Sequence, residues 1–399
     1  MPKVERAPAL AVVAAAMLST GCAPPHGRQV LQCGRGDPTA DKPQSKLWYA
    51  HGRWWAWLPS ARAGGRVWRR SALGPWRPEV HLDGLAATLP GRADVWTDGD
   101  RVVAALVEGR RLAVAALRWD RADERYEPAG APLVWRERSP IETVTIDRAA
   151  DGSFWVAYPA RARAGRAMTV RRVPPGLASP PGEPVAIGRV AGRDDICAVA
   201  ALDGGVGVLW SDQKAQRILF RRHAAGAAQG DWSAREVVAS GHRTADDHVN
   251  FCRPPGGGGL KLLAATKTSL DTTGLPIFSL RVLAAGERWR SLAFGNLTDE
   301  LDFTRPIVLW VGERPVALFT CRSPGGGGRR FGERFSVIEM QSFAPDARSP
   351  VGPRREVMRA PARLNNVTGP KVAPPGRACL VLASDARGAV YEAFVRPGD

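Results

Sequence analysis

The chain has 399 residues, 44% hydrophobic and 24% charged, with 14 Trp, 43 Gly and 33 Pro. That apolar share and Trp content exclude a disordered chain, and the length admits one large all-β unit. The formal charge of +17 comes from 49 Arg and only 7 Lys spread along the whole sequence, which argues for an Arg-rich solvated surface and against a nucleic-acid binder, whose charge gathers in a stripe.

At the N-terminus, Lys3 and Arg6 precede an apolar run at 9–18 that is too short for a membrane-spanning helix and has the length of a signal-peptide core. The run ends in Leu18-Ser19-Thr20-Gly21-Cys22, which resembles the lipobox of bacterial lipoproteins. The resemblance implies a signal peptide at 1–21, lipidation of Cys22, and export to the outer membrane or cell surface. The Pro-, Gly- and polar-rich stretch 22–45 reads as a tether that also holds a ring-closing strand, ahead of a folded unit at 46–399. Five cysteines remain, Cys33, Cys197, Cys252, Cys321 and Cys379, an odd number without CxxC spacing. They read as buried small residues, with one or two disulfides as the alternative.

From Trp48 onward the sequence repeats. Short apolar strands at 54–58, 102–106, 154–158, 206–210, 260–265, 316–319 and 379–382 each follow a Gly-containing turn, and these turns recur every 47 to 64 residues. A third strand follows each, at 67–73, 112–119, 168–173, 218–223, 277–283, 335–340 and 390–395. Trp76, Trp232 and Trp289, each just after a Gly turn, open a fourth. The spacing predicts an all-β, seven-bladed β-propeller of four-stranded antiparallel blades. The last repeat lacks a fourth strand, which 28–33 is expected to supply, closing the ring and covering a free edge.

In a propeller the starts of the innermost strands and the ends of the second strands share one face around the axis. There the sequence places Asp94, Glu142, Asp195, Asp247, His248, Asn250, Lys267, Arg305 and Lys371, a set suited to a polar ligand. Period-2 alternation points His248 and Asn250 to one side, with Asp247 near the imidazole and Lys267 on the adjacent strand. If the site is catalytic, His248 and Lys267 handle a proton, and Asp195 with Asp247 is the carboxylate pair a hydrolase needs. No GxSxG, HExxH, Walker or GxGxxG pattern is present, so no cofactor or metal is expected, and the glycine runs at 256–259 and 325–328 read as hairpin turns.

Several segments carry a resemblance: 141–147, 194–196, 207–213, 246–250 with 267–269, 304–309 and 364–368. Together they resemble an uncharacterised bacterial extracellular family of sialidase-like (BNR-type) β-propeller proteins. The resemblance implies the propeller fold, and two readings of function stay open: a monomeric, membrane-anchored propeller that binds a glycan or other polar ligand at its axial face, or a glycoside hydrolase or polysaccharide lyase using the same site. SxDxGxxW boxes are absent, and Arg305 is the one well-placed arginine.

Overall fold

The computed structural model describes residues 27–398 apart from 42, 61–63, 72–73, 163–164, 191, 193, 256–258, 271, 287, 299–301 and 325–330. The leader, Cys22 and most of both glycine runs lie outside the described residues.

Seven antiparallel sheets are arranged as the blades of a propeller. The innermost strands, in blade order, are Leu47–Ala50, Arg92–Thr97, Thr145–Arg148, Cys197–Leu202, Val249–Cys252, Asp302–Val311 and Asn365–Thr368. In each blade the next two strands follow as hairpins, and the hydrophobic clusters lie between neighbouring blades. A second strand is therefore covered on both faces. Arg101–Glu108 is buried throughout its interior, and it reads as an unbroken apolar run because there is no solvent face to alternate with. Blade 2 departs from the four-strand plan by pairing both Arg125–Pro128 and Leu133–Arg136 with its third strand.

Arg28–Gln32 forms the outermost strand of blade 7, antiparallel to Ala389–Val395. The residues that follow differ from a flexible tether. The chain must travel from the rim of blade 7 to the innermost strand of blade 1, so it crosses the face on which innermost strands begin, here called the front face. Thr39, Gln44, Ser45 and Lys46 are buried there. Gln44 Nε2 donates to the Val144 carbonyl of blade 3 at 2.8 Å, and Ser45 Oγ donates to the Gly369 carbonyl of blade 7. The front end of the axis is thereby plugged.

Lys46 has no exposed surface, and its ammonium donates to Gln44 Oε1 at 2.7 Å and to the Ala93 carbonyl at 3.3 Å. Burial pushes its pKa down to about 8 from 10.5. A depressed folded-state value means that the unfolded chain holds the proton and the folded chain does not between about pH 8 and 10.5, so stability rises with pH across that window. Urea titrations of the wild type and Lys46→Met should diverge there by on the order of 3 kcal/mol, with the wild type gaining. Parallel pH profiles would show that Lys46 does not titrate in this way.

All five described cysteines are buried and reduced, and burial pushes their thiols up. No helix among the described residues is long and apolar enough to cross a membrane.

Candidate functional site

An innermost strand leaves one row of backbone groups without a strand partner, and those groups must be satisfied. Side chains of the preceding blade do this. Asp94 Oδ2 accepts from Ile146 N at 2.7 Å, Thr145 Oγ1 from Val199 N at 3.1 Å, Asp147 Oδ2 from Ala201 N at 2.7 Å, and Asn250 Oδ1 from Val308 N at 3.0 Å.

These contacts give several expected ligand residues other work. Asp94 has no exposed surface, and its carboxylate also accepts from Ser45 N and from Lys371 Nζ, each at 2.7 Å. Burial pushes its pKa up, against the opposing pull of the Lys371 ammonium and the Ser45 and Ile146 N–H groups. Asp94 and Lys371 thus form a clamp joining blades 1, 2, 3 and 7. Asp94→Asn places an amide donor against one of three donors and leaves the half-buried Lys371 ammonium without its counter-charge, so it should cost about 3 kcal/mol or more in urea unfolding. A loss under about 1 kcal/mol would remove the clamp from the account.

Asp195 is likewise fully buried, accepting from Gln213 N at 2.9 Å, Gln213 Nε2 at 3.2 Å and Gly192 N at 2.8 Å, and burial raises its pKa. It fastens its own loop and offers no open carboxylate to pair with Asp247. Glu142 is half-buried in the approach to blade 3, two blades from His248. Asn250 lines an axial cavity of about 250 Å³ whose front end is bounded by Pro43 and Gln44. Its carbonyl oxygen serves as a blade clamp as well.

Asp247, His248, Lys267 and Arg305 come together at the front face where blades 5 and 6 meet. Asp246, on the same face by sequence but not in the expected site set, joins them. His248 Nδ1 lies 2.5 Å from Asp246 Oδ1 and 2.6 Å from Asp247 Oδ1, while Nε2 faces Thr304 Oγ1 at 3.4 Å. Lys267 pairs with Asp246 Oδ2 at 2.6 Å. Asp246, Asp247 and His248 offer three ligand atoms within 4.8 Å of one another. Lys267 already neutralises one of the two carboxylates, which weakens any pull on a divalent cation. His248 is 5% exposed and both ring nitrogens face protein groups. The imidazole therefore holds the cluster together, and Asp247, with 24% of its side chain exposed, is the more open acid.

Arg305 differs from the rest. It sits in a β-bulge, where the pairing of Asp302–Val311 with its neighbour slips between Thr304 and Ile307. Its φ is +57°, a left-handed conformation costly for a residue with a side chain. Pro306, with no N–H to give the ladder, favours the bulge. The residue is half-buried. Its Nε is buried and has no partner. Burial lowers its pKa, Asp247, Asp37 and Asp246 act in the opposite sense, and Arg363 reinforces the lowering.

Tyr158, on the second strand of blade 3, is fully buried. It donates to Glu137 Oε1 at 2.7 Å and accepts from Arg171 Nε at 2.9 Å between blades 2 and 3. A Tyr–Glu–Arg set is thus present but closed to substrate.

The sequence matches no family model and no curated protein. Its structure is similar to that of a polysaccharide lyase, an ulvan lyase of family PL25, solved bound to -[GlcA(1-4)Rha3S]-. The TM-score is 0.55 at 11% identity, over 92% of this chain and 96% of that one. A second structure of a PL25 ulvan lyase gives a TM-score of 0.53 over the same shares at 11% identity. AofleA from Arthrobotrys oligospora matches at a TM-score of 0.45 and 8% identity, over 80% of this chain and 91% of that one. At such identities the likeness is one of fold.

Proposed function

We propose that this propeller binds an acidic glycan at its front face, with the Arg305 guanidinium as the anchor for a carboxylate or sulfate. The observation that carries this reading is the half-buried Arg305 guanidinium, whose buried Nε has no partner, held in a strained bulge. A buried donor without a partner costs about 1–3 kcal/mol, more when charged, and a left-handed non-Gly residue adds about 1–2 kcal/mol. Such strain is retained where a ligand repays it. A planar anion accepts two parallel hydrogen bonds from a guanidinium. Asp247, the most open acid of the neighbouring cluster, can hydrogen-bond a sugar hydroxyl. The fold neighbour described with a glucuronate-containing repeat agrees in chemical class. The same reading takes the chain as exported and lipid-anchored through Cys22, with the glycan reached outside the cell.

A second reading, β-elimination on the same glycan, is favoured by the position of Asp247 among the charges that act on Arg305. Arg305 would pair with a uronate carboxylate, Asp247 would take the proton on the adjacent carbon, and the 4-linked oxygen would leave, taking a proton from water. Calorimetry with uronate oligosaccharides and their neutral counterparts tests the first reading, and the absorbance of an unsaturated product tests the second. Equal affinity for acidic and neutral sugars would overturn the proposal.

A further inference from the structure

The face opposite the plug, formed by the turns between first and second strands, holds the larger cavities. One, of about 820 Å³, lies between blades 4 and 5, and another, of about 520 Å³, lies beside blades 6 and 7. Both share Arg253 and Val372 with the back end of the axial cavity, so the three meet at these two residues. Arg253 is exposed and makes no hydrogen bond or ion pair with any described residue. Arg314, in the cavity beside blades 6 and 7, is equally unengaged. Val372 is 55% exposed.

We infer that this back face carries a second binding site, for an extended acidic oligosaccharide lying across Arg253 from the blade 4–5 groove toward Arg314. Two unpaired guanidinium groups at successive cavities suit a chain with repeated negative charge. The walls are stiff: Pro254 and Pro255 from blade 5 and Pro374 and Pro375 from blade 7 flank the meeting point. Proline rings and Val372 offer flat apolar surface for the C–H faces of sugar rings. Because proline has no N–H, these walls cannot donate the main-chain ladder by which an extended peptide is usually gripped. That favours a sugar chain over a peptide. Lys261, paired with Asp203 at 2.5 Å, ties blade 5 to blade 4 and keeps the groove in shape.

The test uses the full chain and an oligogalacturonate hexamer as probe, with an acidic peptide of equal charge as control. In an Arg305→Ala background, which silences the front face, the hexamer should still bind, and adding Arg253→Ala should weaken it by about tenfold or more. Arg253 is exposed, so this variant should fold. If Arg305→Ala alone abolishes all binding, the back-face site is overturned while the front-face reading stands. If Arg253→Ala abolishes binding and Arg305→Ala changes nothing, the front-face reading fails and this one stands. Binding of the peptide as tight as that of the hexamer would overturn the ligand class.

Discussion

A chain beginning at Arg35 should lose about 5 kcal/mol or more relative to one beginning at His26, a sizeable part of the roughly 5–15 kcal/mol that holds a folded domain together. The segment removed includes Arg28–Gln32, which pairs along Ala389–Val395. It also carries Leu31 and Cys33, both 6% exposed, in the cluster joining blades 1, 6 and 7. Burial of a leucine contributes about 1.5–3 kcal/mol, and each ladder hydrogen bond about 0.5–1.5 kcal/mol. Gly27 N and Cys33 N add bonds to the Arg359 and Gly388 carbonyls at 2.6 and 2.9 Å. Loss of these leaves blade 7 with an open edge, so aggregation should accompany the fall in melting temperature. Equal melting of the two chains would show that the ring does not depend on its closing strand.

Arg305→Gly should separate binding from stability. Removing the guanidinium takes away the anion anchor, so affinity for acidic oligosaccharides should fall about 10- to 100-fold, the value of a charge-assisted hydrogen-bond pair. Glycine adopts φ +57° without strain and removes an unsatisfied donor, so the variant should unfold at the same urea concentration as the wild type or higher, by up to about 1 kcal/mol. Arg305→Ala should lose the same affinity and, because it keeps the strained φ, gain less stability than Arg305→Gly. A large drop in stability with either variant would mean that the side chain packs for the fold.

The architecture was legible in the sequence for a physical reason. Second strands covered on both faces must be apolar throughout, and each follows a turn that needs glycine, so blade count could be read as a count of Gly-then-apolar runs. The closing strand was legible as a missing partner. The front-face acids were not. An Asp on an innermost strand looks the same whether it solvates a channel or caps the next blade, and the deciding partner of Asp94, Ile146, lies 52 residues away. Asp246 is legible on the front face, since alternation sets residues 246, 248 and 250 on one side, but its contacts with His248 and Lys267 arise only in three dimensions. Arg305 is legible from its place at the start of an innermost strand, but its bulge arises only in three dimensions, with Pro306 the one local sign. The stretch 33–46 has the composition of a linker, yet Cys33, Pro38, Thr39 and 43–46 are buried because the topology sends the chain across the front face.

The most direct measurement is a crystal structure of the full chain soaked with a galacturonate disaccharide. The account predicts a carboxylate in bidentate contact with the Arg305 guanidinium, at about 2.8 Å, with sugar hydroxyls facing Asp247. A disaccharide bound elsewhere on the front face, with Arg305 folded onto a protein carboxylate, would contradict it.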